Sequence, residues 1–280
     1  MRRVVAAAAL LFLPALAHAD EADAHYRSGL AFKQQGKLDE AIPEFEEAIK
    51  LRGDYAAAEF SLGVALKQRN LVDKAVPHLE KASRLQPQAA DIHSSLGIAY
   101  HKLGRTDDAI RELERACELN VNDATAQESL GAIYRQKKDY ARAIPHLEKA
   151  VQLDPKDAMA LSNLGVAHRQ TNKLELAEKE FVKAVEMKPD QGEFHFNLAT
   201  VYRRQQKVKE ALSEYQTAIR LAPELAAAHY DLGVLYSQQK QNLEAVAEWN
   251  RYLELTASQN PKDAEIVRQH IKELGGKPSK

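Results

Sequence analysis

Histidine recurs in this sequence at suggestive intervals: His25, His93, His195 and His229 are separated by multiples of thirty-four positions, and His78 and His146 by twice that number. Imidazole can ligate a metal or act as a general base. A metal site, however, needs three or four donors converging at ~2 Å. These histidines come one per repeat, with no His-x3-His and no Cys/His cluster beside them. No metal site and no cofactor are expected. Cys117, the single cysteine, falls on an apolar helical face, which is the setting of a structural thiol, and it has no partner for an intramolecular disulfide. Nucleophile-elbow, zincin and phosphate-loop motifs are missing, so no catalytic residue is assigned and the chain is read as a non-enzyme.

A second set of columns carries binding chemistry. Lys33, Lys67, His101, Arg135, Arg169 and Arg203 follow one another at the same thirty-four-position step, with Arg204 beside the last. Asn163 and Asn197 share another column, and Tyr26, Phe60, Phe196 and Tyr230 occupy a third. Cations of this kind meet carboxylates, asparagine amides bond an extended backbone, and aromatic rings anchor apolar side chains. Blander explanations compete. A cation near a helix C-terminus is favoured by the macrodipole by ~0.3–1 kcal/mol with no ligand present, and aromatic rings fill seams between neighbouring helices.

The elements that place these columns follow from the same register. Gly29, Gly63, Gly97, Gly131, Gly165, Ala199 and Gly233 keep the thirty-four-position spacing without an insertion, and so do two alanine columns beginning at Ala41 and Ala48. Small residues here let two antiparallel helices approach closely. Leu62, Leu96, Leu130, Leu164, Leu198 and Leu232 precede the small residue, and an aromatic or apolar residue usually follows three positions after it. That spacing marks one face of a helix. A short break, such as Gly36-Lys37 or Gly104-Arg105, separates a second amphipathic run, with Asp39, Asp73 and Asp107 as candidate N-caps and Pro43, Pro77 and Pro145 near its start.

The pattern small-Leu-Gly-x-x-Tyr, then Ala-x-x-x-aromatic-x-x-Ala and a closing proline resembles the tetratricopeptide repeat (TPR) over positions 22–257, nearly all of the chain beyond position 19. The resemblance implies an all-α fold, a right-handed α-solenoid of seven TPR helical hairpins with a C-terminal capping helix. The repeats fall at 22–55, 56–89, 90–123, 124–157, 158–191, 192–225 and 226–257, followed by a cap at 262–274 and a flexible tail at 275–280. In the cap, Ile266, Ile271 and Leu274 are expected to face the last repeat. The resemblance also implies that the binding columns line a concave groove receiving a protein or peptide segment, with acidic residues to match the cations. Residues matching the family's carboxylate clamp are missing, so a free C-terminal carboxylate is not the expected ligand.

Arg2 and Arg3 precede an apolar run from Val4 to Leu16, closed by Ala17-His18-Ala19. This is the form of a secretory signal peptide, 1–19, and its run is short of the ~20 residues that span a bilayer. Export is therefore expected, to a bacterial periplasm or to the medium, with no membrane span after cleavage. No cysteine lies nearby for lipidation. A formal charge of −1 for the whole chain gives no reason to expect nucleic acid as a partner. The composite expectation is a scaffold or adaptor within an envelope complex. Its rivals are a self-associating structural protein and a substrate-presenting subunit of an envelope enzyme.

Overall fold

The computed structural model describes residues 6–256 and 258–279, with side chains from residue 20 onward. Arg2 and Arg3 of the expected export signal lie outside the described residues. Every described element is a helix, and the chain divides into two compact units, Met1–Ile133 and Tyr134–Lys280. The first unit holds α1 (Ala6–Gln34), α2 (Leu38–Leu51), α3 (Ala56–Gln68), α4 (Val72–Leu85), α5 (Ala90–Lys102) and α6 (Thr106–Leu119). α7 (Ala124–Gln136) crosses the division. The second unit holds α8 (Tyr140–Leu153), α9 (Ala158–Gln170), α10 (Leu174–Met187), α11 (Gly192–Arg204), α12 (Val208–Leu221), α13 (Ala226–Gln238), α14 (Asn242–Thr256) and α15 (Pro261–Glu273). The helices pair into seven hairpins, and α15 closes the last. No described helix is long and apolar enough to cross a membrane.

One packing device repeats along the chain. Phe45, Leu79, Leu113, Leu147, Phe181, Tyr215 and Trp249 occupy one column of the second helices, and all are buried. At Gly29, Gly63, Gly97, Gly165 and Gly233 the large side chain of the same hairpin fills the space that a Cβ would take. A Cβ on Gly97 would lie 2.6 Å from Leu113 Cγ, and one on Gly233 would lie 2.5 Å from Trp249 Cδ1. The glycine is thus the socket for a large side chain, and at these five positions a methyl group would displace it, whereas in the sixth hairpin Ala199 packs with Tyr215.

The hairpin turns are equally uniform. Gly36, Asn70, Gly104, Lys138, Asn172, Gln206 and Lys240 all have φ between 60° and 74°. After each, a backbone N–H returns to the carbonyl five positions upstream in the Schellman pattern, as in Lys37 N–H to Phe32 O (3.0 Å) and Lys173 N–H to His168 O (2.8 Å).

Four local expectations need correction. Asp39, Asp73 and Asp107 lie in the first turns of α2, α4 and α6, whose N-caps are Lys37, Leu71 and Arg105 without side-chain bonds. Each Asp stands two residues past the cap position, inside the first turn, so these carboxylates act on the dipole instead. Side-chain capping occurs at Asp139, Asp157 and Asn260. Pro43, Pro77 and Pro145 fall at the sixth helical residue, past the first turn, and each removes one backbone bond. In α15, Ala264, Val267 and Ile271 are buried against Trp249 and Leu253 with Leu274 beside them, whereas Ile266 is 55% exposed. The stripe 264, 267, 271, 274 is one helical face, and residue 266 lies about 100° from it. Residues 275–279, read from sequence as a flexible tail, return along α14, where Asn250 Nδ2 donates to Lys277 O (3.1 Å) and Ser279 Oγ donates to Asn250 O (3.2 Å).

Candidate functional site

The histidines find carboxylates within their own hairpins. His25, His93, His195 and His229 lie 2.6–2.8 Å from Glu44, Glu112, Glu214 and Glu248, each nineteen positions on. In the second hairpin the two partners trade places, so that Glu59 takes the first-helix position and His78 the second, 2.6 Å apart. Glu59 is 1% exposed and also pairs with Lys81 at 2.7 Å. The Nε2 atoms of His93, His195 and His229 meet the carbonyls of Pro87, Pro189 and Pro223. A carbonyl only accepts, so Nε2 carries a proton there. These pairs fasten hairpins and the loops before them. Among the described residues no group of three His, Cys, Asp or Glu could hold a metal. Burial pushes the Cys117 thiol up to about 11, which keeps it protonated and unreactive.

In the first unit the cation column is built from α1, α3 and α5. Lys33 and Lys67 are half-buried and form no ion pair among the described residues, and burial lowers the pKa of both, with Lys102 and Lys33 adding repulsion at Lys67. Burial likewise lowers that of His101. Tyr26 packs between Phe45 and Tyr55, with ring centroids 6.0 and 5.0 Å away, and Phe60 is half-buried.

In the second unit four of the sequence-derived residues, Arg135, Asn163, Arg169 and Asn197, come together around one cavity of about 520 Å³, with Ser162 and Val166 between them. Met159, Gln191, Glu193 and Phe194 complete its lining. Sequence reasoning did not single these out, although Met159 and Glu193 share the second position of their repeats, which falls on the same helical face. Arg169 is half-buried, forms no ion pair among the described residues, and has its Nε buried without a hydrogen-bond partner. Burial lowers its pKa, and Arg204 and Arg203 push the same way against the fields of Tyr215 and Asp231.

The neighbouring arginines are spoken for. Arg203 Nε donates to the Tyr215 hydroxyl (3.2 Å), and a terminal nitrogen lies 3.5 Å from Asp231. Burial opposes the Arg203 charge, but Asp231 and Tyr215 outweigh it and raise its pKa. Asp231 is itself raised by burial, partly offset by Arg203. Arg204 donates to Arg169 O (2.8 Å) and Asn172 Oδ1 (3.3 Å), placing its charge on the C-terminus of α9. Phe196 packs on Tyr215 and Tyr230 on Tyr252. Tyr230, Tyr252 and Asp231 also line a second cavity, of about 410 Å³, closed by Ile266 and Val267 of α15.

Family models described as tetratricopeptide repeat match residues 2–56, 26–90, 60–124, 95–158 and 134–201, and one described as TPR repeat matches 200–240. No curated protein matches the chain. Among solved structures, YrrB, described as a TPR protein with an unusual peptide-binding site, is 22% identical with a TM-score of 0.59, covering 70% of this chain and 97% of its own. A MamA structure is 27% identical with a TM-score of 0.53, covering 57% and 94%. PilF of Pseudomonas aeruginosa is 20% identical with a TM-score of 0.66, covering 79% and 98%.

Proposed function

Since this chain belongs to the tetratricopeptide repeat family, and is a protein–protein interaction scaffold in that sense, we propose that its first helices receive an acidic segment of a partner protein within a bacterial cell-envelope complex. The observation that carries this reading is the convergence of Arg135, Asn163, Arg169 and Asn197 on one open cavity of the second unit. Amides at successive repeats can bond an extended backbone, and a guanidinium lines the same cavity for a carboxylate. The half-buried Lys33 and Lys67 of the first unit offer the same chemistry. Binding peptide is what YrrB's description says of that protein, and it is consistent with this reading. Export is the part of the proposal supported by the Arg2-Arg3, apolar run and Ala17-His18-Ala19 sequence.

The test is capture from fractionated cells expressing the tagged full-length chain. We expect the protein in the periplasmic fraction, shortened at Ala19, with co-purifying proteins that are lost from an Asn163→Ala/Arg169→Ala/Asn197→Ala variant of unchanged circular dichroism. An unchanged set of captured proteins would remove the groove from the proposal, and a cytoplasmic, full-length product would remove the envelope.

A further inference from the structure

We infer that Arg169 is the residue of the second unit's groove that takes a carboxylate side chain, Asp or Glu, of the bound segment, and that the sixth residue of the following repeat decides this. The inference rests on the groove reading and adds to it a rule for which cation is available. Arg203 is answered internally by Asp231, twenty-eight positions further on, at 3.5 Å. The same step from Arg169 leads to Asn197. An amide stands where a carboxylate would be, so Arg169 keeps its charge without an ion pair.

Three observations converge on an anionic ligand there. Arg169 lines the cavity of about 520 Å³, and its Nε is buried with no hydrogen-bond partner. Asn197, which lines the same cavity, is half-buried and makes no side-chain hydrogen bond among the described residues. Glu193 is the carboxylate on the cavity's rim, and it forms no ion pair with the guanidinium. A half-buried guanidinium with a desolvated Nε, reached by the field of Asp231 but held in no ion pair among the described residues, is costly to keep in a fold. A carboxylate entering between Arg169 and Asn197 would receive guanidinium donors on one side and amide hydrogens on the other. Arg203 cannot serve in this way while Asp231 occupies it. The proposed ligand is a side-chain carboxylate within an extended segment, matched by charge to the open cation at Arg169.

The decisive variant is Asn197→Asp, which is nearly isosteric and supplies Arg169 with the same internal partner that Asp231 gives Arg203. Asp231→Asn is its converse and frees Arg203. The probes are an amidated random-heptapeptide display library and acetate, the simplest carboxylate, with the Arg169 side-chain N–H resonance as a second readout. On the wild-type chain the library is expected to select peptides with Asp or Glu. Asn197→Asp should weaken those peptides at least tenfold, and Asp231→Asn should hold or tighten them. Acetate should shift the Arg169 resonance in wild type and not in Asn197→Asp.

Selected peptides that bind Asn197→Asp as tightly as wild type would overturn the inference while leaving peptide binding in the groove intact. No selected peptide, together with an acetate shift abolished by Asn197→Asp, would keep the carboxylate site and reject the peptide groove. No peptide and no acetate shift would reject both.

Discussion

Glu59 and His78 show how much a single bond can matter to one hairpin. The first helices of four repeats carry histidine and the second helices glutamate, and the second repeat reverses them without lengthening the contact. Removing one partner leaves the other desolvated, and with Glu59 at 1% exposure the penalty falls largely on a buried carboxylate or its replacement. Glu59→His and His78→Glu should each cost about 1–3 kcal/mol, and the double exchange should recover most of it, since it recreates the arrangement of the other hairpins. Urea melts of the four proteins in the cycle measure this. Additive single effects would show that the pair is not coupled. The sequence exposed the histidine column but hid its purpose, because each partner sits nineteen positions away on another helix and the column holds Glu59 where histidine was being counted. The cation column was legible as well, but which cations are already paired depends on a twenty-eight-position step between neighbouring first helices. Only packing reveals that step.

The seven turns set the conformational demands on the helical elements. A left-handed residue costs little when it is glycine or asparagine and roughly 1–2 kcal/mol otherwise. Lys138, Gln206 and Lys240 bear that cost, with φ of 60°, 63° and 61°. Lys138→Gly should therefore stabilise the chain by about 0.5–1 kcal/mol, after the added freedom of the unfolded glycine is deducted, while Asn172→Gly should be nearly neutral. Thermal melts of the two variants side by side decide it, and destabilisation by Lys138→Gly would sink the argument. Helix number and approximate limits were readable from the periodic glycine and alanine columns, because small residues at a fixed spacing permit only one close approach. Caps were not readable. Any Asp near a helix start looks like an N-cap, and the distinction is one of register: Asp139 stands at the cap position itself, whereas Asp39, Asp73 and Asp107 fall two residues past it.

At the scale of the whole molecule, a repeat array holds each hairpin by its neighbours, so the last one depends on α15 for its outer face. Ala264, Val267 and Ile271 supply that cover over Trp249, whose indole N–H donates to Tyr230 O at 3.2 Å. Trp249 is the only tryptophan, so its fluorescence reports on this end alone. Ile271→Ala should cost about 2–4 kcal/mol locally. In a chain with nearest-neighbour coupling, the fluorescence midpoint in urea should fall by more than the midpoint from circular dichroism, and equal shifts would refute that picture. The sequence located the cap by its amphipathic run after Pro261. It grouped Ile266 with Ile271, whereas Ile266 stands off the Trp249 core and lines the open cavity beside Tyr230 and Tyr252, a distinction that only packing makes.

The exchanged pair in the second hairpin has a bearing on how such a chain can be recombined. Joining α3, which carries Glu59, to a second helix carrying Glu112 would bring two carboxylates face to face. Joining α5 to α4 would oppose two imidazoles, His93 and His78. A crossover inside a hairpin can therefore scramble donor and acceptor, whereas one placed after a complete hairpin leaves each of these His–Glu pairs whole. The transferable module is the hairpin with its own hydrogen bond, and libraries of shuffled arrays built from this chain should be cut at 55/56, 89/90 and the equivalent junctions.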